Sequence, residues 1–238
     1  MTPTPGSVAP TGGWRSARVA AVDRPGPAAV RLRLDVADRV SHLPGQHYVV
    51  RLTAPDGYTA SRSYSVASAP GDPLVELYVE RLVDGEVSGY LADVLEPGDE
   101  LEVRGPVGGW FVWDGTTPAL AVGGGSGVVP LVSMLRHARD TGRPELLCLV
   151  GAARTAASLP YAEEMLDGCT LVALSQEDSP AGRPAGRLRA ADLAPLVDGR
   201  DAGFVCGSAG FAETASQALV AAGMPADRVR VERFGPSG

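Results

Sequence analysis

The chain has 238 residues, of which 45% are hydrophobic and 21% charged, and its formal net charge is −7. This composition is typical of a globular protein with a sizeable core, and the negative charge argues against nucleic-acid binding, which needs a basic surface. No apolar run approaches the roughly 20 residues that span a bilayer. Residues 1–13 lack the layout of a secretory signal and are interpreted as a flexible tail. We therefore expect a cytoplasmic protein without a membrane segment.

Cysteine, histidine and lysine are scarce, which argues against several kinds of site. Cys148, Cys169 and Cys206 are widely spaced and form no C-x-x-C pair. This argues against a disulfide framework and against an iron–sulfur cluster, which takes four thiolates in most types. Three histidines make a His-based metal site unexpected. Because all 21 basic residues are arginine, a lysine Schiff base and a Walker-type phosphate loop are excluded.

Residues 14–115 are predicted to form an antiparallel β-barrel or sandwich. Short segments of alternating apolar and polar residues are separated there by Pro-Gly turns. The predicted strands are residues 28–35, 47–53, 74–80 and 100–104, and a short helix is expected near residues 88–95. Many short strands at this spacing favour a barrel or a sandwich.

From residue 116 onward the pattern predicts a parallel α/β sheet, because strands alternate with helices. A buried strand at 119–122 runs into a glycine-rich segment and then into a helix that extends to about residue 139. The other predicted strands are residues 145–151, 170–174, 203–206 and 229–232, with helices near 161–166 and 211–222. The sequence therefore predicts two domains, 14–115 and 116–238.

The glycine-rich segment 123–127 has the form of a phosphate-binding loop, since a strand, a glycine run and a helix follow one another. It departs from G-x-G-x-x-G because Val129 and Pro130 occupy the region of the third glycine. A tight turn without a ligand is the alternative. Ser126 and Ser208 each miss the G-x-S-x-G nucleophile elbow by one residue, which argues against a serine hydrolase.

Residues 62–65 read R-S-Y-S, which resembles the flavin motif R-x-Y-S/T of the ferredoxin–NADP reductase superfamily. Further matching segments follow in the family's order. They are residues 44–46, 87–91, 105–108, 124–130, 151–155, 186–188, 205–207 and 232–234. The resemblance implies a Greek-key flavin-binding barrel followed by a Rossmann-like nucleotide-binding domain. An attached iron–sulfur domain is not expected, because its four cysteines are lacking.

The resemblance implies that the barrel binds FAD. Arg62 would bind the diphosphate, which suits a permanently charged bidentate group. Tyr64 would contact the flavin, with barrel packing as the alternative, and Ser65 would hydrogen-bond its reactive nitrogen. The other implied flavin-binding residues are Ser63, Tyr78, Arg81, Gly85, Val87, Ser88 and Phe234. FMN is the alternative cofactor, because some relatives with a similar motif hold it.

The second domain is implied to bind NAD(P)H. Its implied residues are Gly124, Gly125, Ser126, Gly127, Arg154, Gln176, Cys206 and Gly207. Cys206 and Glu232 would lie near the nicotinamide and, with Ser65, form the catalytic set, whereas Cys148 and Cys169 match no motif and are assigned to packing.

The coenzyme is expected to be NADH. Gln176 stands where many NADPH-specific relatives have arginine, and Glu177 beside it would repel a 2′-phosphate. NADPH stays open as the alternative, because Arg154 or Arg183 could compensate for the missing arginine.

We therefore expect a flavin-dependent NAD(P)H oxidoreductase. A hydride would pass to FAD, and electrons would then pass to a separate redox protein, such as a ferredoxin-like, haem or molybdenum protein. Three alternatives remain: a free-flavin or ferric reductase, an electron-transfer subunit of a larger complex, and a scaffold that has lost its flavin. A monomer is expected, because relatives of this size are often monomers.

Overall fold

The computed structural model describes residues 13–26 and 28–235. The chain divides into two compact units. The first contains the described residues up to Val66 together with Asp72–Val112, and the second contains Ala67–Gly71 and the described residues from Trp113 onward. Apart from Gly13, the predicted tail lies outside the described residues. Within the described ranges, no helix has the length and apolar character that crossing a membrane requires.

Over its described residues, the first unit is a barrel-like antiparallel sheet of six strands with one helix. The strands are β1 (Arg15–Gly26), β2 (Ala29–Val36), β3 (His47–Thr53), β4 (Thr59–Ser65), β5 (Val75–Glu80) and β6 (Glu100–Val107), and the helix is α1 (Glu86–Asp93). Their order in the sheet is β4-β3-β6-β1-β2-β5. Because β3 pairs with β6 and not with β2, the connections cross as in a Greek key.

Alternation along β2 builds the core of the first unit. Val30, Leu32 and Leu34 are fully buried, because successive strand side chains point to opposite faces and these three face inward. On β6, Gly105 lies under the ring of Tyr48, and a Cβ at this glycine would be 2.5 Å from the ring carbon Cδ1. Close packing therefore requires glycine at this position.

The described part of the second unit contains a parallel sheet of five strands with three α-helices. The strands are β7 (Ala119–Gly124), β8 (Leu147–Ala153), β9 (Thr170–Leu174), β10 (Ala202–Ser208) and β11 (Val229–Phe234), and the helices are α2 (Val129–Asp140), α3 (Ala190–Val197) and α4 (Ala209–Ala221). The strand order is β11-β10-β7-β8-β9. Both parts of the predicted fold, the antiparallel barrel and the parallel α/β sheet, are confirmed.

The strand order of the second sheet places a switch point between β7 and β10. From β7 the chain adds β8 and β9 on one side and then returns to add β10 and β11 on the other. In open parallel sheets, ligands bind outside the carboxyl ends of the strands at such a point. The glycine-rich segment follows β7 directly, so the fold places it at this edge.

Two local predictions are wrong. The helix predicted near 161–166 is a single 3₁₀ turn, Ala162–Met165, and Tyr161 just before it has a left-handed φ of 56°. A continuous α-helix does not accommodate that conformation. Conversely, α3 forms where none was predicted, with Pro195 inside it.

The assignment of Cys148 and Cys169 to packing is also wrong. The structure joins them in a disulfide with a Cα–Cα distance of 4.7 Å. Leu149 of β8 pairs with Thr170 of β9, so the residues just before them become neighbours across the two parallel strands. Scarce cysteine argues against a framework of several bridges, but it does not exclude one bridge set by strand register.

Candidate functional site

Four of the predicted flavin-binding residues lie in succession on β4, the terminal strand of the first sheet. They are Arg62, Ser63, Tyr64 and Ser65. The side chain of Tyr64 packs against the core of the first unit, and burial raises the pKa of its phenol to about 12. Tyr64 is therefore neutral at physiological pH, and core packing occupies part of its side chain.

Arg62 presents an available positive charge. Its side chain is exposed and donates at 2.7 Å to the carbonyl oxygen of Ser61. Among the residues that the structure describes, it forms no ion pair. A guanidinium without a carboxylate partner suits an anionic ligand, because it can donate to two oxygens at once.

The first turn of α1 lies beside β4. Tyr58, which immediately precedes β4, donates from its hydroxyl to a Glu86 carboxylate oxygen at 3.3 Å. The first N–H groups of a helix have no intrahelical acceptor and favour anions. Together with Arg62, this turn fits the diphosphate of FAD by charge and by donor chemistry.

The turn before α1 is shaped by Gly85 and Ser88. The Ser88 hydroxyl donates to the Gly85 carbonyl oxygen at 3.3 Å and accepts from the Leu82 N–H at 3.2 Å. A Cβ at Gly85 would lie 2.1 Å from the Ser88 Oγ. Ser88 therefore fixes the turn, while the side chain of Val87 is buried in the core.

Two further predicted flavin-binding residues, Tyr78 and Arg81, lie on or beside β5. Arg81 forms an ion pair with Asp93 of α1 at 2.9 Å, so its charge is already paired within the first unit. Burial, followed by the charge of Glu80, raises the pKa of Tyr78. Arg81 holds α1 against the end of β5, which is a structural task.

Strand β3 adds a residue that the sequence did not indicate. His47 lies opposite Ser65 of β4 and, on its other side, opposite Val107 of β6. Burial lowers the pKa of His47, so the imidazole is neutral at neutral pH. The register that makes His47 and Ser65 neighbours is set by strand pairing, for which the local sequence of β3 gives no signal.

In the second unit, the glycine-rich segment is held by close backbone contacts. A Cβ at Gly127 would lie 2.2 Å from the carbonyl oxygen of Cys206, and one at Gly124 would lie 2.5 Å from the ring of Phe211. Close packing alone therefore explains why these two positions are glycine. Gly125 differs: its φ is 56°, and an added Cβ would meet nothing within 4 Å.

The structure thus brings the end of β7 together with the end of β10, as the predicted nucleotide site requires. Gly127 approaches both Cys206 and Gly207, and Ser126 lies in the 3₁₀ turn Gly125–Val128. The open side of Gly125 leaves room for a ligand beside the backbone. These observations fit a phosphate-bearing nucleotide at the switch point.

Cys206 and Glu232 are direct neighbours on β10 and β11. Burial and then the charge of Glu232 raise the pKa of the buried Cys206 thiol. Burial also raises the pKa of Glu232. Cys206 is therefore a neutral thiol, which does not favour a nucleophile. Phe234 ends β11 with an exposed side chain.

Arg154, Gln176 and Glu177 lie together at the carboxyl ends of β8 and β9. The Gln176 N–H donates to the Arg154 carbonyl oxygen at 3.0 Å. A Glu177 carboxylate oxygen accepts from the Ala156 N–H at 2.7 Å, which fixes a negative charge at this edge. The side chain of Arg154 is exposed.

Arg183 is not available to bind a phosphate. Its guanidinium forms an ion pair with Asp192 at 2.8 Å and also donates to three backbone carbonyl oxygens. These belong to Pro184, Gly186 and Arg187. Of the two arginines that could compensate for Gln176, only Arg154 keeps an exposed side chain.

Comparison with known proteins agrees with this fold. Residues 26–112 match the family model of the oxidoreductase FAD-binding domain. The reductase component of a Ralstonia naphthalene 1,2-dioxygenase/salicylate 5-hydroxylase system is 30% identical over 92% of this chain and 69% of its own length. The ferredoxin reductase component of a Rhodococcus rhodochrous 3-ketosteroid-9-alpha-monooxygenase is 32% identical over 84% of this chain and 58% of its own length.

Solved structures have a similar fold. An Amycolatopsis cytochrome P450 reductase superposes with a TM-score of 0.77 at 29% identity, covering 95% of this chain and 71% of that one. The FAD/NAD-binding domain of a Vibrio cholerae nitric oxide dioxygenase gives a TM-score of 0.81 at 23% identity, covering 93% and 99%. Both likenesses agree with the observed fold, an antiparallel barrel-like sheet and a parallel α/β sheet.

The chain belongs to the ferredoxin–NADP reductase family, and the resemblance stated from the motifs is confirmed. It spans 55% and 58% of the length of two curated relatives, a propane 2-monooxygenase reductase component and the Rhodococcus rhodochrous reductase component.

Proposed function

We propose that the chain is an NAD(P)H-dependent flavoprotein reductase that passes electrons to a separate redox protein. The observation that carries the proposal is the meeting of the glycine-rich segment with Cys206 and Gly207 at the switch point, in a chain whose other unit matches an FAD-binding domain. In this proposal, residues 14–115 form the FAD-binding domain and 116–238 the nucleotide-binding domain. Curated relatives that serve as reductase components of oxygenase systems support a protein acceptor.

In the first domain, Arg62 and the first turn of α1 would bind the FAD diphosphate. Ser65 would donate a hydrogen bond toward the flavin, and Tyr64 would support it while remaining packed in the core. Bound FAD supplies the chemistry that accepts a hydride and releases electrons one at a time. The contribution of the protein is binding, orientation and exclusion of water.

In the second domain, the backbone of Gly124–Gly127 would bind the nucleotide diphosphate, and Cys206 and Glu232 would border the nicotinamide. The neutral, buried thiol of Cys206 suits this position, because a buried thiol is chemically inert. No residue needs to gain or lose a proton for a hydride to pass.

We propose NADH as the preferred coenzyme. The carboxylate of Glu177 is fixed by the Ala156 N–H at the carboxyl edge of β8 and β9. A 2′-phosphate beside it would meet a like charge, whereas a ribose diol could donate to it. Because Arg183 is already paired, Arg154 alone could offset this repulsion.

An absorbance titration of the FAD-loaded chain under anaerobic conditions tests the function. We expect NADH to bleach the flavin band and to do so faster than NADPH. If the chain binds FAD but neither nucleotide bleaches the flavin band, the proposed nucleotide site is contradicted. A chain that takes up neither FAD nor FMN would contradict the whole proposal.

Retention of FAD through gel filtration distinguishes the proposed reductase from a free-flavin reductase. In the proposed reductase, flavin stays bound and a separate protein takes the electrons. Loss of all FAD during filtration, combined with steady NADH-dependent reduction of added flavin, would favour the free-flavin reductase.

A further inference from the structure

The disulfide of the second unit lies at the edge of the sheet opposite the switch point. Cys148 is the second residue of β8, and Cys169 immediately precedes β9. These are the amino ends of the same two strands whose carboxyl ends lead to Arg154 and Gln176. The side chain of Cys148 is fully buried, whereas Cys169 is partly exposed.

A guanidinium lies against the two sulfur atoms. Arg200 donates from Nη2 to the Cys148 sulfur at 3.0 Å and to the Cys169 sulfur at 3.8 Å. From Nη1 it donates to the Glu145 carbonyl oxygen at 2.8 Å. Its buried Nε has no partner in the described part of the chain.

Arg200 is a half-buried cation without an ion pair among the described residues. Burying a charge is unfavourable unless a counter-charge is supplied. A disulfide offers only neutral sulfur, which is a weak acceptor. Reduction would create a thiolate at the atom that already receives the shorter Arg200 contact.

We propose that Cys148 and Cys169 form a reversible thiol–disulfide couple, in which Arg200 stabilises the Cys148 thiolate and Cys169 is the sulfur that external thiols attack. A neighbouring cation lowers the pKa of a cysteine thiol and makes it a better leaving group. The greater exposure of Cys169 decides which sulfur is attacked. The site is thus a modification site that accepts small thiols.

The reduction proceeds in two exchanges. A thiolate of an external dithiol attacks Sγ of Cys169, forms a mixed disulfide there and expels Cys148 as a thiolate beside Arg200. The second thiol of the reductant then displaces Cys169, so that the reductant leaves as its own disulfide with two electrons transferred to the pair. Hydrogen peroxide reverses the change: it takes two electrons and two protons from the dithiol and leaves as two water molecules.

Equilibration of the full FAD-loaded chain with mixtures of reduced and oxidised dithiothreitol at pH 8 tests the couple. Samples are quenched with acid and unfolded, free thiols are labelled with a maleimide and located by peptide mass spectrometry, and circular dichroism before the quench reports the fold. We expect Cys148 and Cys169 to become labelled together in samples that were folded before the quench. Cys206 is the internal reference: because it is a free thiol, it is labelled in every sample.

Arg200→Gln tests the role of the guanidinium. Without the cation, the ratio of reduced to oxidised dithiothreitol at the midpoint should rise about tenfold, because the thiolate is less stable. Arg200→Lys keeps the charge, and its midpoint ratio should lie between those of the unchanged chain and Arg200→Gln. A midpoint that Arg200→Gln leaves unchanged would overturn the proposal, and so would reduction that occurs only together with unfolding.

Capture by a monothiol tests which sulfur is attacked. In the presence of 2-mercaptoethanol, the mixed disulfide is expected on Cys169 and not on Cys148. The opposite assignment would overturn the proposed order of attack. Cys169→Ser, which leaves Cys148 as a free thiol next to Arg200, should react with maleimide about tenfold faster than Cys169→Ser combined with Arg200→Gln.

Discussion

The two units differ in the part of the chain that they offer to a ligand. In the first unit, the candidate residues act through side chains on β4, where Arg62 is exposed and has no ion pair among the described residues. In the second unit, they act through backbone that glycine makes accessible, and Gly127 lies against the Cys206 carbonyl. Side-chain recognition can be removed without changing the fold, whereas backbone recognition is inseparable from packing. Substitutions in the first unit should therefore reduce ligand binding alone, whereas those in the second unit should reduce both binding and stability.

The largest expected effect is that of Gly127→Ala. Its Cβ would lie 2.2 Å from a backbone oxygen, which cannot move without shifting β10. We expect a loss of about 3 kcal/mol in the free energy of unfolding, at the upper end of overpacking costs, and loss of nucleotide binding. Urea unfolding of the full chain measures the change in the free energy of unfolding.

Gly210→Ala is the matched control for Gly127→Ala. An added Cβ there meets nothing within 4 Å, and position 210 lies in α4, where alanine is favoured over glycine by about 0.5–1 kcal/mol. Equal stability of the two variants would contradict the packing explanation.

Arg62→Ala should separate binding from folding. Losing a charged hydrogen-bonding group lowers FAD affinity by about 1.5–3 kcal/mol, or roughly 10- to 150-fold. The free energy of unfolding without FAD should change by less than about 0.5 kcal/mol. Fluorescence titration with FAD measures the first quantity and urea unfolding the second.

Arg228→Ala is the control for Arg62→Ala, because it also removes an arginine but breaks only an exposed ion pair with Asp201. Its FAD affinity should equal that of the unchanged chain. An Arg62→Ala protein that keeps full FAD affinity would rule out the diphosphate role.

Glu177→Gln should narrow the preference between nucleotides. Removing the fixed negative charge should lower the KM for NADPH relative to that for NADH by about tenfold, which corresponds to about 1.4 kcal/mol. The value of kcat with NADH should not change. Glu145→Gln, at the opposite edge of the sheet, removes the same charge and should leave the ratio of KM values as it was. A Glu177→Gln protein with an unaltered ratio would leave Gln176 as the only basis for discrimination.

The smallest expected effect is a pH dependence of the free energy of unfolding, with opposite signs for a group in each unit. Burial lowers the pKa of His47, so the unfolded chain binds this proton first and stability falls as the pH drops below about 6.5. Burial raises the pKa of Glu232, so the folded chain keeps this proton longer and stability falls as the pH rises above about 4.5.

Two neutral variants check these signs in urea unfolding at several pH values. His47→Gln should remove the loss of stability below pH 6.5. Above pH 6.5 it should not change how the free energy of unfolding depends on pH. Glu232→Gln should be the more stable protein at pH 7, with a difference that disappears below about pH 4.5. A Glu232→Gln protein that is less stable than the unchanged chain at pH 7 would contradict the burial argument.

Strong periodicity made much of the fold predictable from the sequence. The strand predicted at 47–53 coincides with β3 and that at 170–174 with β9, because alternation or an apolar run fixes their burial. β4 was not predicted, since T-A-S-R-S-Y-S shows no apolar alternation and its strand form depends on pairing with β3. α3 was missed because it is short and contains Pro195.

The candidate site was predictable where a local motif carries it. Arg62 and the glycine-rich segment were found because their neighbours in sequence are also their neighbours in the site. The position of His47 opposite Ser65, and that of Cys148 beside Cys169, depend on strand register between segments that local patterns do not relate. Arg200 was likewise missed, because only the packing of the chain after α3 places it on the two sulfur atoms.

The contact between Gly127 and Cys206 has a consequence for the order in which the protein matures. Gly127 lies in the 3₁₀ turn after β7 and Cys206 lies on β10, and these two strands adjoin in the sheet. In sequence, however, the two residues are separated by α2, β8, β9 and α3. A nascent chain therefore has the glycine-rich segment long before it has the strand that shapes it, and domains fold as units once their last elements emerge. Nucleotide binding should appear abruptly in a series of growing fragments, only after β10 is included.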